Sequence, residues 1–146
     1  MICLLAAALI SATTVADTAP SDPDGQTAYL THCGACHLED GQGVPSAFPP
    51  LDERLGRWAA TETGRDYLVS AVSNGLFGLI QVHGIQYAGA MPQMKHIDDG
   101  EIAAALTYAV QTFGSSVEAA PFTAGELASR RVRLGNVQSR TLRPAD

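Results

Sequence analysis

Long hydrophobic runs, internal repeats and clustered basic residues are all missing from this chain. Its longest apolar stretch, Ile2 to Ile10, is less than half the ~20 residues that a membrane-crossing helix needs. No segment repeats, which excludes solenoids and propellers. No run alternates apolar and polar residues with period two, so no strands are expected. Between residues 17 and 125, 13 acids stand against 4 bases, a balance that excludes nucleic acid as a ligand because phosphate binding needs grouped Lys and Arg. Cysteine is scarce as well: Cys3, Cys33 and Cys36 are the whole supply.

What is present suits one small domain. The 146 residues are 46% apolar and 16% charged, enough for a packed core and too apolar for disorder. Residues 1–16 read as a signal peptide: the short apolar run is followed by Thr14-Val15-Ala16, small residues suited to cleavage before Asp17. Cleavage would remove Cys3 and leave no transmembrane segment; retention would leave a short anchor. Export implies the periplasm as the working compartment. Residues 17–115 carry the domain proper, and 116–146 form a C-terminal extension with a short helix and a basic tail. Five arginines in that tail face Glu126 and Asp146, and a solvated terminus is the expectation for them.

The helix signals are local. Asp22 with Pro23 predicts the start of a first helix, which carries Gly25, Tyr29 and Cys33 along one face. Glycines and prolines punctuate residues 38–60 so densely that a loop is expected. Thr63 with Asp66 predicts a second helix that ends at Asn74-Gly75, and residues 76–96 read as irregular. Asp98 with Glu101 opens a third, ending at Gly114; Thr123 with Glu126 opens a short fourth. So few short helices bury little area against each other, and an all-α domain of this size needs a staple. A large apolar cofactor at the centre would serve as one.

Cys33-Gly34-Ala35-Cys36-His37 names that cofactor. C-x-x-C-H is the attachment motif of c-type haem: two thiols on one helical turn reach the vinyl groups at one porphyrin edge, and the next residue, His37, falls beneath the iron. Three other uses of the pair fit less well. A structural zinc site needs further ligands, and His32, His83 and His96 lack the spacing. A thioredoxin-like pair expects a preceding strand and a cysteine that opens a helix. A plain disulfide leaves His37 unexplained. For the sixth iron position Met91 is favoured, since it follows Gly89 in a loop and Pro92 fixes the backbone beyond it; Met94 is the alternative, and His83 or His96 would give bis-His ligation.

Over most of residues 22–114 the chain resembles the class I monohaem cytochromes c. The residues that carry the likeness are Gly25-x-x-x-Tyr29-x-x-x-Cys33 leading into the haem motif, Phe48-Pro49-Pro50-Leu51, Tyr87-x-Gly89-x-Met91-Pro92 and Ile102-Ala103-x-x-Leu106-x-Tyr108. The resemblance implies the cytochrome c fold, three to four short helices with long loops around one covalent haem c. It implies that Gly25 and Tyr29 meet Ala105 and Tyr108 where the first and last core helices cross. Pro49 would accept a hydrogen bond from the axial histidine, Leu51 would lie on the haem, and Trp58 would line the pocket or pack in the core. Two departures are Leu38, where many relatives have glycine, and Met94, where an aromatic residue is common.

The implied function is one-electron transfer, without substrate chemistry. Partners would be redox proteins: a periplasmic dehydrogenase, whose subunit this could be, or a reductase or oxidase. The acidic body is expected to steer it to a basic patch, with association slowing as added salt screens the attraction. The rivals are a haem protein with an open iron site and a haem-free thiol oxidoreductase.

Overall fold

The computed structural model describes residues 24–115 and 118–145. The signal segment, Cys3 and the Asp22-Pro23 start lie outside the described residues. Among the described residues, four helices form the frame: α1 (Gly25–His32), α4 (Glu62–Asn74), α5 (Asp99–Phe113) and α6 (Ala124–Leu134). Three short ones sit between and after them: α2 (Gly34–His37), α3 (Arg54–Ala59) and α7 (Ser139–Leu142). No helix among the described residues is long and apolar enough to cross a membrane.

Each frame helix opens on a side-chain cap that satisfies otherwise orphaned N–H groups. Asp24 caps α1, its Oδ2 accepting from Thr27 N at 2.9 Å. Thr61, not Thr63, caps α4, with Oγ1 accepting from Gly64 N at 3.1 Å. Asp98 caps α5 through Gly100 N and Glu101 N, and Thr123 caps α6 through Glu126 N, both as expected. The stops at Gly75 and Gly114 also fall where the sequence puts them.

Two further expectations about secondary structure are corrected. Residues 38–60 are not all loop: α3 forms there, its first turn supported by Arg54 N donating to Asp52 Oδ1 at 3.1 Å. The punctuating Gly41, Gly43, Pro45, Pro49 and Pro50 all precede α3, and Gly114 packs closely on that helix, since a Cβ at Gly114 would lie 2.7 Å from Gly56 N. Strands also exist. β1 (Leu76–Phe77) pairs with β4 (Ala90–Met91), and β2 (Ile80–Val82) pairs with β3 (Ile85–Tyr87), both antiparallel. Pieces of two or three residues are too short to show a period. The β2–β3 turn is His83-Gly84, both at positive φ, the geometry that two-residue hairpin loops require.

The core forms where α1 crosses α5. A Cβ on Gly25 would lie 2.9 Å from Ala104 O and 3.1 Å from Tyr108 Cβ, so only glycine lets the helices approach this closely. The backbone met is that of Ala104, one residue before the Ala105 the resemblance implies. Tyr29 is fully buried, 5.4 Å from the Tyr108 ring and 5.3 Å from Phe113. Its hydroxyl donates to Leu38 O at 2.6 Å. That bond anchors the turn after the haem motif, where Leu38 adopts φ 63 and ψ 167, a conformation nearly confined to glycine, at a cost of about 1–3 kcal/mol.

The arginines of the C-terminal extension are not a solvated tail. Residues 130, 131 and 133 fold back on the acidic body. Arg130 is buried and reaches Glu126, Glu62 and Asp66. Arg133 joins Asp66, and Arg131 joins Asp99. Arg65 on α4 answers from the other side, with Glu126 held at 2.5 Å and its guanidinium 3.8 Å above the Phe122 ring. The negative charge of the body thereby recruits its own C-terminal segment.

Candidate cofactor site

Cys33 closes α1, and the sharp turn into α2 brings Cys36 and His37 round to the same side. His37 Nδ1 lies 2.9 Å from Pro49 O. A carbonyl can only accept, so Nδ1 carries the proton and Nε2 keeps its lone pair for a metal. Burial lowers the His37 pKa against the raising effect of that bond, which favours the neutral, ligating ring.

Two adjoining cavities open beside these groups, about 690 and 900 Å³ of empty space with their mouths included. Cys33, His37, Pro49, Leu76, Ile80 and Met91 line both, so they are two parts of one slot. Cys36 and Met94 border the first part only; Leu51, Trp58 and Tyr67 border the second only. Leu76 and Met91 are directly paired across β1 and β4.

Of the remaining histidines, two go elsewhere and one borders the slot. His83 Nε2 points to Asp52 Oδ2 at 2.8 Å, His96 is exposed, and neither lines the slot. His32 borders the first cavity, with Nε2 2.9 Å from Glu101. Burial, helped by the neighbouring Cys36, pushes the Cys33 thiol up to about 11. A redox-active nucleophilic cysteine needs the opposite shift.

The family comparison decides what this slot belongs to. The cytochrome c family profile matches residues 23–112. The chain belongs to the cytochrome c family. It is similar to cytochrome c-552 of Thermus thermophilus, 38% identical over 113 residues that cover 75% of this chain and 86% of the relative. A second cytochrome c-552, from a designated strain of the same species, is matched at 38% identity over 76% of its length. The protein is thus a small class I c-type cytochrome, an electron carrier with covalently attached haem c that serves redox partners.

The slot of this cytochrome fits such a group on its own terms. It is apolar along its walls, and it has a nitrogen donor, two thioether sulfurs and a thiol pair at its border. Sequence reasoning missed the charged end. Arg54 is buried at the second cavity with its guanidinium 5.4 Å from the Trp58 ring centroid, and Arg143 lies 5.7 Å from the same ring. Arg54 is also held by Asp52. Burial alone would raise the Asp52 carboxyl, but hydrogen bonds from Arg54 and His83 outweigh it and keep the group below its usual range. Nothing local marks either arginine: one stood in an expected loop, the other in an expected tail.

Proposed function

We propose that this cytochrome is a periplasmic one-electron carrier. On this reading Cys33 and Cys36 tether the haem, and His37 and Met91 are its axial iron ligands. The observation that carries it is the shared wall: His37, with Nε2 left as donor by Pro49, and Met91 both line the two parts of one apolar slot bordered by both cysteines. Bound there, the haem supplies one-electron iron chemistry between Fe(II) and Fe(III). The chain's residues do the rest. Pro49 fixes the orientation of the His37 ring, Leu51, Leu76 and Ile80 keep water from the iron, and Arg54 and Arg143 offer positive charge to the anionic carboxylates of the haem. Two protein ligands leave no open coordination position, which suits transfer and disfavours gas binding.

We read residues 1–16 as the export signal and 116–146 as an extension of the haem domain of residues 17–115. A dehydrogenase, reductase or oxidase in the periplasm is the class of partner that fits. The test is an absorption spectrum of the protein matured by export. A Soret band accompanied by the weak band of sulfur on ferric haem iron is expected. A haem spectrum without the sulfur band would overturn the Met ligation, and a colourless, cooperatively folded protein would overturn the whole reading.

A further inference from the structure

The segment that carries Met91 is held from two sides. Met94 N donates to Val72 O on α4 at 3.0 Å, which fixes the inner side. The outer side is held by the C-terminal extension, beyond the last position that the family profile matches: Lys95 of the loop donates to Asn136 Oδ1 at 2.6 Å and Gly135 O at 3.4 Å, and Arg131 binds the loop backbone itself. Arg131 on α6 donates to Met94 O at 3.2 Å and Ile97 O at 3.0 Å, three and six residues after Met91. The same guanidinium bonds Asp99 Oδ1 at 2.5 Å, at the start of α5, and Ser73 Oγ at 3.0 Å, on α4. All three nitrogens of the fork are therefore committed to joining the Met91 loop to the helices on either side.

We propose that Arg131 is a positioning residue for the sixth ligand: the C-terminal extension sets how readily Met91 leaves the iron. The argument is energetic. Met91 lies in a two-residue strand, and β1–β4 pairing alone gives it a short ladder. A ligand on so short an element exchanges when the loop opens, and opening residues 92–97 outward must break the two Arg131–carbonyl bonds. Hydrogen bonds to a charged group are each worth more than neutral ones, and they act on the open–closed equilibrium of the loop directly. The neighbouring Arg133 gives the contrast: it binds Asp66 on α4 and no atom of the loop.

This inference rests on Met91 ligation, so the experiment separates the two. The full-length ferric holoprotein is mixed with excess imidazole, and the loss of the sulfur–iron band is followed in time; at saturating imidazole the rate reports release of the methionine. Arg131→Gln is expected to speed release about tenfold, Arg133→Gln less than about twofold, and Arg131→Lys is expected to recover part of the slow rate. Denaturation of each variant is read in parallel, because loss of docking alone would lower stability in both Gln variants alike. Equal acceleration by Arg131→Gln and Arg133→Gln, or acceleration by neither with the band intact, overturns the positioning role and leaves Met91 ligation standing. Absence of the band from the unmutated holoprotein overturns both.

Discussion

Substituting Met91 with alanine is expected to abolish the sulfur–iron band, lower the midpoint potential and open the reduced iron to carbon monoxide. The potential should fall by on the order of 0.1–0.3 V, a part of the ~0.8 V over which axial ligands move haem potentials. The cause is the softness of thioether sulfur: it stabilises Fe(II), and a harder replacement such as water favours Fe(III). Met94 supplies the internal control. It is buried, its N–H is committed to Val72 O, and it borders only one of the two cavities that Met91 lines. Met94→Leu, close in volume, should keep the band and the potential near their original values. Loss of the band from the Met94 variant and its retention in the Met91 variant would reverse the assignment. Rapid carbon monoxide binding by the unmutated reduced protein would support an open iron site instead.

Replacing Arg130 with methionine should cost about 2 kcal/mol and loosen the C-terminal helix, as read from denaturation and from proteolysis within residues 124–145. Arg130 is 7% exposed and serves Glu126, Glu62 and Asp66 together. Removing it strands carboxylates rather than an evenly matched pair, and breaking such a buried contact typically costs ~3–5 kcal/mol. The smaller figure follows from the partners that stay: Arg133 still holds Asp66, Arg65 still holds Glu126, and Glu62 is 84% exposed and readily rehydrated.

Acid should erase the difference. Asp66 is held below its usual pKa by Arg133 first and Arg130 second, and Glu126 by Arg65 first and Arg130 second, in each case against burial. A carboxyl whose folded pKa lies below its unfolded one contributes full stability above the unfolded value, near about pH 4, and loses it as pH falls through the depressed folded value. The extension should therefore stay docked from neutrality down to about pH 5 and weaken below about pH 4. There the wild-type and Arg130→Met denaturation midpoints should converge. A gap that stays constant from about pH 7 to about pH 3 would show that packing, not charge, holds α6.

Much of the site was legible because its signals are contiguous. Cys33, Cys36 and His37 lie within five residues, and Met91-Pro92 follows its glycine closely. Helix starts at Asp98 and Thr123 were equally plain, since a cap and its N–H partner are three residues apart. At the start of α4 the pattern points to the wrong residue: Thr63 has an acid, Asp66, three residues on, whereas the actual cap, Thr61, has Gly64 there. Packing decides between the threonines: with Thr61 as cap, Gly64 meets the Trp58 backbone, where a Cβ would lie 2.1 Å from the carbonyl oxygen. Leu38 at positive φ is a further case, tolerable because the buried Tyr29 hydroxyl takes its carbonyl.

The sequence by itself determined the family, the covalent haem and the order of the four main helices, because each is encoded within a turn or two of chain. Only the tertiary structure decided where the arginines go. Arg130 and Arg133 find Asp66 across more than 60 residues, Arg131 finds the Met91 loop across more than 30, and Arg143 comes to line the same cavity as Arg54. Charge has no periodicity to announce its partner. A guanidinium on a helical surface reads the same whether it meets water or a carboxylate, until the fold brings that carboxylate within hydrogen-bond reach.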